Sequence, residues 1–222
     1  MKPTLIVGDI HGEWEALFRK IDHLDLRDAT LLCVGDVGIG FVERSKQERQ
    51  HIHINNFFKS RDIEFLSIKG NHDDPAYFDG SINLSHFKLL PDYTTLTLND
   101  KKFLFVGGAI SIDRTIRKEG ISYWKDEAFK LDRSKIQQCD VLITHSIPTG
   151  LGEFSKNGIV YWCEKDLNLW DDCMKEREDI AILYDLAKPK QAFSGHFHVS
   201  LAQERNKCMC KIIDILEIVE CF

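Results

Sequence analysis

Five short apolar runs, each followed closely by a polar turn, constrain the fold of this 222-residue chain most strongly. Four of the five turns contain glycine, and the runs occupy residues 4–7, 31–34, 64–68, 141–143 and 191–193. Apolar runs of this length, with little alternation between faces, are typical of strands that are buried on both sides. The sequence therefore predicts five buried strands, each ending in a polar turn.

Helical patterns lie between these predicted strands. One apolar stripe repeats at i, i+3, i+4 and i+7 and consists of Trp14, Leu17, Phe18 and Ile21. Residues 43–60 show a second helical pattern, with Ile54, Phe57 and Phe58 on one side. Strands that alternate with helices predict an α/β fold. Because no repeat or flexible linker divides the chain, we expect one domain over residues 1–222.

Two further segments have the pattern of β-hairpins. Residues 96–98 and 103–106 flank Asn99 and Asp100, and near the end of the chain residues 199–203 and 208–218 flank the turn 204–207. Hairpins pair antiparallel strands, whereas strands joined through helices pair in parallel. The sheet structure is therefore predicted to be mixed.

The polar turns carry side chains that bind metals. They are Asp9, His11, Asp36, Asn71, His72, His145, His196 and His198. Loops at the carboxyl ends of strands gather at one edge of an α/β sheet, so these side chains are expected to meet. Carboxylate, imidazole and amide together suit Mn, Fe or Zn better than Ca, and a carboxylate bridging two cations about 3.5–4 Å apart suits phosphoryl transfer. Each turn alone could be a tight turn or a loop cap, but five such turns favour a two-metal site.

The motifs resemble those of the calcineurin-like metallophosphoesterase superfamily, in the same order along the chain. They are Gly8-Asp9-Ile10-His11, Gly35-Asp36, Gly70-Asn71-His72-Asp73, Thr144-His145 and Gly195-His196-Phe197-His198. The resemblance implies two mixed β-sheets packed as a sandwich and flanked by helices, which gives four layers with the metals at a sheet edge. It also implies two divalent cations, with Mn²⁺ the first expectation and Fe, Zn or Ni as alternatives.

The same resemblance implies a role for each position. The first metal would be held by Asp9, His11 and His198, the second by Asn71, His145 and His196, and both by Asp36 as the bridge. Asp36 and Asn71 thereby count among the catalytic residues. His72 would protonate the leaving oxygen while a metal-bridging hydroxide attacks phosphorus in line. Asp73 would either orient His72 or cap its loop.

The chain departs from better-known branches of the family after Gly35-Asp36. Ser/Thr protein phosphatases and diadenosine-polyphosphate hydrolases carry an Asp/Asn-Arg pair there, and the double-strand-break nucleases usually carry a His where this chain has Gly40. A glycine-rich run within residues 107–127 resembles a subset of small bacterial and phage members. Arg114 or Arg117 in this segment could grip phosphate, or both could be solvated arginines beside a tight turn.

Charge bears on the choice of substrate. The chain has 35 acidic and 29 basic residues, a net charge of −6, so its overall field does not attract a long nucleic acid. Small phosphodiesters or nucleotides are favoured as substrates, with nucleic-acid ends and phosphoproteins as competitors. Monoesterase and diesterase activity both stay open. A non-catalytic protein-binding scaffold is the alternative, but the complete set of ligands together with His72 favours a phosphoesterase.

The lengths of the apolar runs bear on cellular location, and the pattern of cysteines bears on whether disulfides form. No run approaches the roughly 18 apolar residues of a membrane span, and no signal-peptide pattern opens the sequence, so a cytoplasmic protein without a membrane partner is expected. The seven cysteines are scattered and odd in number, which favours reduced thiols over disulfides. Cys208 and Cys210 fit either a metal pair or alternate positions of a strand. The oligomeric state is open.

Overall fold

The computed structural model describes residues 2–221, in which eleven strands form two sheets. In chain order the strands are β1 (Thr4–Val7), β2 (Ala29–Cys33), β3 (Ile63–Ser67), β4 (Phe87–Leu89), β5 (Thr94–Leu98), β6 (Lys101–Val106), β7 (Val141–Thr144), β8 (Gln191–Ser194), β9 (Leu201–Arg205), β10 (Cys208–Ile212) and β11 (Ile218–Glu220). The helices are α1 (Trp14–His23), α2 (Arg44–Lys59), α3 (Val160–Lys165) and α4 (Leu169–Ala187). The five predicted buried strands are β1, β2, β3, β7 and β8.

Both sheets are mixed. The first has the order β11–β1–β2–β3–β4, with β1 to β4 parallel and β11 antiparallel to β1. The second has the order β5–β6–β7–β8–β10–β9, with parallel pairing from β6 to β10 and antiparallel strands at both edges. The predicted combination of parallel and hairpin pairing is thereby confirmed.

Three apolar cores explain why the strands read as continuous apolar runs. In β1, Ile6 faces a core between the two sheets, whereas Leu5 and Val7 face a core shared with α1 and α2. A third core lies between the second sheet and α4, where Ile180 and Leu183 are fully buried. The layers are therefore helix, sheet, sheet and helix, and the predicted four-layer α/β sandwich is confirmed.

The predicted helices form where the sequence placed them. All four residues of the apolar stripe in α1 are buried, and Ile54 and Phe58 of α2 are completely buried beside them. Phe57 is partly buried and stacks on Phe18, with ring centroids 3.7 Å apart.

None of the helices within residues 2–221 is long and apolar enough to cross a bilayer.

Both predicted hairpins form, but the last strand of the second hairpin is shorter than predicted. β5 and β6 pair across Asn99 and Asp100, both of which have positive φ. The prediction that residues 208–218 form one strand is wrong, because β10 ends at Ile212 and β11 begins at Ile218 in the other sheet. The intervening turn bonds to the end of β1, where a Cβ on Gly8 would stand 1.9 Å from the carbonyl oxygen of Asp214. Only Asp214 and Glu217 interrupt the apolar residues between the two strands, so the crossing is not evident from the sequence.

The cysteines are free thiols, and six of the seven are buried. Cys208 and Cys210 occupy alternate positions of β10, with their sulfurs 3.7 Å apart. Their spacing is therefore accounted for by the strand.

Candidate metal centre

Turns from both sheets build one site. The turns after β1, β2 and β3 belong to the first sheet, and those after β7 and β8 belong to the second. Their side chains nevertheless meet, because the carboxyl ends of the parallel strands in the two packed sheets face a common edge. Nε2 of His145 lies 3.3 Å from Oδ1 of Asp36, which joins a turn of one sheet to a turn of the other.

Ligand atoms of four residues form the first of two groups. One atom each from Asp9, His11, Asp36 and His198 lie within 4.8 Å of one another. The Nε2 atoms of His11 and His198 are 3.0 Å apart, and Nε2 of His198 is 3.1 Å from Oδ2 of Asp9. Two imidazole nitrogens and two carboxylates thus point at one small volume.

The second group shares a residue with the first. Asp36, His145 and His196 bring ligand atoms within 4.8 Å of one another, so Asp36 belongs to both groups. Oδ1 of Asn71 lies 3.1 Å from Nε2 of His145 and adds an amide oxygen. All seven predicted ligands are therefore brought together, and Asp36 is shared by both groups.

The chemistry of this donor set fits a pair of cations. Asp9 is completely buried, and its Oδ1 has no hydrogen-bond partner among residues 2–221. An unpartnered buried carboxylate oxygen is costly unless a cation meets it. Carboxylate, imidazole and amide donors are the ligands expected for a borderline divalent cation.

Mutual charge effects set the protonation of the ligands. Burial opposes the charge of Asp36, but the adjacent His145 prevails and holds the pKa of Asp36 well below its usual range. Burial likewise opposes a charge on His145, yet Asp36 raises the pKa of His145 to about 10. Burial, reinforced by His145, lowers the pKa of His196 to about 3, so His196 is neutral and can offer a lone pair.

The backbone approaches the ligands so closely that glycine is required at two points. A Cβ on Gly70 would lie 2.0 Å from Oδ1 of Asp36, and a Cβ on Gly195 would lie 2.0 Å from Oδ1 of Asp9. Asp36 itself has a φ of 51°, in the left-handed region that a residue other than glycine enters only at a cost. Gly70 and Gly195 of the sequence motifs are thus explained by contact with the carboxylates.

Hydrogen bonds from outside the ligand set orient two ligands. Nδ1 of His145 bonds to the carbonyl of Val34 at 2.8 Å, which turns Nε2 towards Asp36. Nδ2 of Asn71 donates to Oγ of Ser111 at 3.1 Å, which leaves the amide oxygen facing His145. Ser111 belongs to the glycine-rich run that the sequence singled out, but only the fold brings it to Asn71.

Asp73 caps the loops of the site. Its carboxylate accepts the backbone N–H groups of Gly38, Ile39 and Gly70 at 2.8–3.0 Å. Burial, with the nearby charge of Asp36, raises the pKa of Asp73 to about 7. Of the two roles open to Asp73, the structure supports loop capping, because these bonds engage the loops after β2 and β3 rather than the ring of His72.

His72 and Arg117 form a pair at the edge of the ligand set. Nη2 of Arg117 donates to Nε2 of His72 at 2.7 Å, and Nε of Arg117 lies 2.6 Å from Oδ1 of Asp113. Burial, aided by Arg117, lowers the pKa of His72 to about 4. Both side chains line a cavity of about 490 Å³ that also exposes Asp36, Asn71, His196 and His198.

Arg114 is placed differently from Arg117. Its guanidinium forms two ion pairs of 2.6 Å, one with Asp166 and one with Asp172. It lines a separate cavity of about 280 Å³. Of the two arginines that the sequence offered for phosphate, Arg117 is the one that shares a cavity with the candidate ligands.

An apolar wall completes the cavity and was missed by sequence reasoning. It consists of Ile112, Phe154, Ile159, Trp162 and Phe197. Phe197 could have been noticed, because it lies between His196 and His198. Phe154, Ile159 and Trp162 gave no signal, because Phe154 lies in an irregular segment and the helices that carry Ile159 and Trp162 are only four and six residues long.

Comparison with known families bears on this site. The model of the family described as calcineurin-like phosphoesterase matches residues 2–200. The chain belongs to this family. The match contains all five turns that build the candidate metal centre, so the resemblance noted in the sequence is confirmed. No curated protein sequence gives a significant match to this calcineurin-like phosphoesterase.

Solved structures with a similar fold share little sequence with it. The phosphopantetheinyl hydrolase PptH from Mycobacterium tuberculosis is 12% identical, with a TM-score of 0.49 and coverage of 96% of this chain and 90% of that one. A novel archaeal phosphodiesterase is 12% identical, with a TM-score of 0.43 and 98% of each chain covered. Vps29 from Entamoeba histolytica, complexed with Zn²⁺, is 12% identical, with a TM-score of 0.40 and coverage of 96% and 73%.

Proposed function

We propose that this calcineurin-like phosphoesterase is an enzyme that binds two divalent cations and hydrolyses a small phosphodiester or a nucleotide. The observation that carries the proposal is the position of Asp36. It is common to two groups of ligand atoms, one with Asp9, His11 and His198 and the other with His145 and His196. The unpartnered oxygen of Asp9 within the described residues supports the same conclusion.

In this proposal each cation has its own ligands. Asp9, His11 and His198 would hold the first, Asn71, His145 and His196 would hold the second, and Asp36 would hold both. When bound, such a pair polarises the phosphoryl oxygen and lowers the pKa of water. Manganese is proposed because the donors are mixed carboxylate, imidazole and amide, and Fe, Zn and Ni are the alternatives.

His72 and Arg117 are proposed to act on the ester itself. Arg117 is oriented by its ion pair with Asp113 and presents N–H groups to the cavity, where they can donate to phosphate oxygens. Once substrate displaces the hydrogen bond from Arg117, Nε2 of His72 can take up a proton from solvent and give it to the leaving oxygen. A proton delivered in this way typically accelerates hydrolysis about 10²–10⁴-fold.

The cavity favours a small substrate. Its volume of about 490 Å³ lies within the range of about 300–1,000 Å³ typical of small-molecule sites. Nucleic-acid ends are the competing substrate, but the chain carries a net charge of −6, which repels a polyanion at long range. A small ester needs no such attraction, because the cations and Arg117 act at short range. We also propose that the protein works in the cytoplasm, without a membrane partner.

The test is metal-dependent hydrolysis of bis-p-nitrophenyl phosphate and p-nitrophenyl phosphate. Protein freed of metal with EDTA is reloaded with Mn²⁺, and its metal content is measured beside the rate. Release that requires metal and is lost in Asp36→Asn supports the enzyme, with the exposed Asp25→Asn as the control. Two bound metals without hydrolysis of either ester would instead support the non-catalytic scaffold.

A further inference from the structure

The apolar wall serves no purpose for the phosphate group alone. A phosphate is held by cations and by hydrogen-bond donors, yet Trp162, Ile159 and Phe154 present carbon surface to the same cavity. Polar and apolar surfaces that share a small cavity usually receive the two ends of one ligand. The wall therefore bears on the organic part of the ester.

The wall is fixed before any ligand binds. Ile159 belongs to a small core with Cys163, Leu169 and Cys173, against which Trp162 packs. The ring of Phe154 stacks on Trp170 with centroids 5.4 Å apart and an angle of 2° between the ring planes. A surface held in this way loses little side-chain entropy on binding.

Arg177 supports the wall from behind. It is 5% exposed and donates to the carbonyls of Pro148 and Leu151 at 3.1 and 2.7 Å. Its guanidinium carbon lies 4.9 Å from the ring centre of Phe154 and 5.7 Å from that of Phe197. These contacts connect the wall to the turn that carries His196.

The wall adjoins His196 rather than His72. The rings of Phe197 and His196 are 5.3 Å apart, whereas the ring of His72 has His11, Phe41 and Arg117 as its neighbours. An ester group that leaves with a proton from His72 is therefore a different group from one that lies on the wall. A phosphate that uses both regions carries two ester groups.

The charges in the cavity agree with a diester. Outside the metal-ligand candidates, the charged side chains of the lining are Arg117 and Asp113, which pair with each other. The Arg117–Asp113 pair is neutral overall, so the positive charge of the cavity comes from the cations alone. A phosphodiester, which carries one negative charge, needs less compensation than a monoester dianion or a polyphosphate.

We infer that the site takes phosphodiesters in which the ester group that stays on phosphorus is flat and apolar and lies against Trp162. This inference rests on the proposed function and narrows it to one class of diester. Trp162 is then a specificity residue, because it touches the substrate and distinguishes one ester from another. Stacking of a flat ring on an aromatic side chain contributes enough to change affinity about tenfold or more.

The first test compares phenyl p-nitrophenyl phosphate with methyl p-nitrophenyl phosphate in the Mn²⁺-loaded protein. Both release the same phenol, so they differ only in the group that stays on phosphorus. Selectivity is the ratio of kcat/KM for the phenyl ester to kcat/KM for the methyl ester. We expect this ratio to be about tenfold larger in the wild type than in Trp162→Ala, mainly because KM for the phenyl ester rises in the variant. Val160→Ala, in the same helix but 49% exposed and outside the cavity lining, should behave as the wild type does. Equal selectivity in the wild type and Trp162→Ala would overturn the inference.

A binding measurement separates this inference from the proposed function. Titration calorimetry with diphenyl phosphate and dimethyl phosphate needs no turnover, and we expect tighter binding of the diphenyl ester that is lost in Trp162→Ala. The wild type could show this Trp162-dependent binding and yet hydrolyse neither of the two p-nitrophenyl esters. In that case the enzyme proposal fails, and the wall is retained as a binding surface. If the wild type binds both esters alike, the inference is overturned. Should Trp162→Ala fail to fold, Trp162→Gln, which keeps the length of the side chain and loses the ring, takes its place.

Discussion

Nη2 of Arg117 donates a hydrogen bond to Nε2 of His72 across 2.7 Å. A guanidinium has no acceptor, so Nε2 of His72 must be the acceptor, and the imidazole is neutral in this arrangement. The two residues are 45 positions apart in sequence and lie on different loops. Their contact joins the residue proposed to protonate the leaving group to the residue proposed to hold phosphate.

Replacement of Arg117 should reduce hydrolysis without removing metal. In Arg117→Ala the cavity loses its donors to phosphate, and we expect kcat/KM for bis-p-nitrophenyl phosphate to fall about 10–100-fold, as is typical for loss of a charged hydrogen bond. Lys118→Ala, exposed and outside the cavity lining, is the matched control. Rates and metal content are measured on the same samples. Unchanged kcat/KM in Arg117→Ala would contradict the proposed role.

Substitutions of His72 and Asp36 should both reduce turnover but differ in their effect on bound metal. We expect His72→Asn to lower kcat about 10²–10⁴-fold with both cations retained, because the proton donor is lost and the ligands are not. Asp36→Asn should lose metal, because one carboxylate serves both groups of ligands. Metal analysis by mass spectrometry, beside steady-state rates, separates the two. Full activity in either variant would refute the role assigned to that residue.

The strands and the ligands could be predicted from sequence because their signals are local. A buried strand followed by a polar turn is contained in about ten residues, as in β1 with Asp9 and His11. The rule that such turns gather at the carboxyl edge then supplies the long-range step. This is why the α/β class was predicted correctly and why the seven candidate ligands were found in one place, whereas the four-layer sandwich was implied by the family resemblance.

The features that could not be predicted from sequence depend on which distant residues the fold brings into contact. Arg114 and Arg117 stand three residues apart with equal sequence signals, and their partners decide between them: Arg114 pairs with Asp166 and Asp172, whereas Arg117 meets His72. The break between β10 and β11 was also missed, because apolar residues flank it and only Asp214 and Glu217 interrupt them. Trp162 gave no signal at all, since its importance lies in the cavity that it faces.

Loss of the Asp73 carboxylate should destabilise the fold. Asp73→Ala would leave the N–H groups of Gly38, Ile39 and Gly70 without their acceptor in a buried place. Unsatisfied buried donors cost about 1–3 kcal/mol each, so we expect the free energy of unfolding to fall by about 3 kcal/mol or more. Urea unfolding in EDTA measures this without a contribution from metal. The adjacent Asp74→Ala, which removes a single bond to the N–H of Ala76, should cost about 1 kcal/mol. Equal losses in the two variants would contradict the capping role.

Burial of Glu176 should make stability depend on pH. Its carboxylate accepts the N–H groups of Ile110 and Phe129, but burial prevails and raises the pKa of Glu176 to about 7. Between the unfolded pKa of about 4.3 and this value, the native state keeps a proton that the unfolded chain releases. The stabilisation is complete below the lower pKa and is lost as pH rises through the higher one, with a slope of up to about 1.4 kcal/mol per pH unit.

Glu176→Gln removes this proton and should flatten that part of the pH profile. We expect the free energy of unfolding of the wild type, minus that of the variant, to fall by about 3 kcal/mol between pH 4.5 and pH 7.5. Urea unfolding in EDTA at several pH values measures the difference, and the slope is informative even though glutamine cannot accept both backbone bonds. Glu178→Gln, on the same helix but exposed, should leave the profile unchanged. A constant difference between the wild type and Glu176→Gln would mean that Glu176 ionises in the native state at its ordinary pKa, because linkage ties the slope to the shift between the two states.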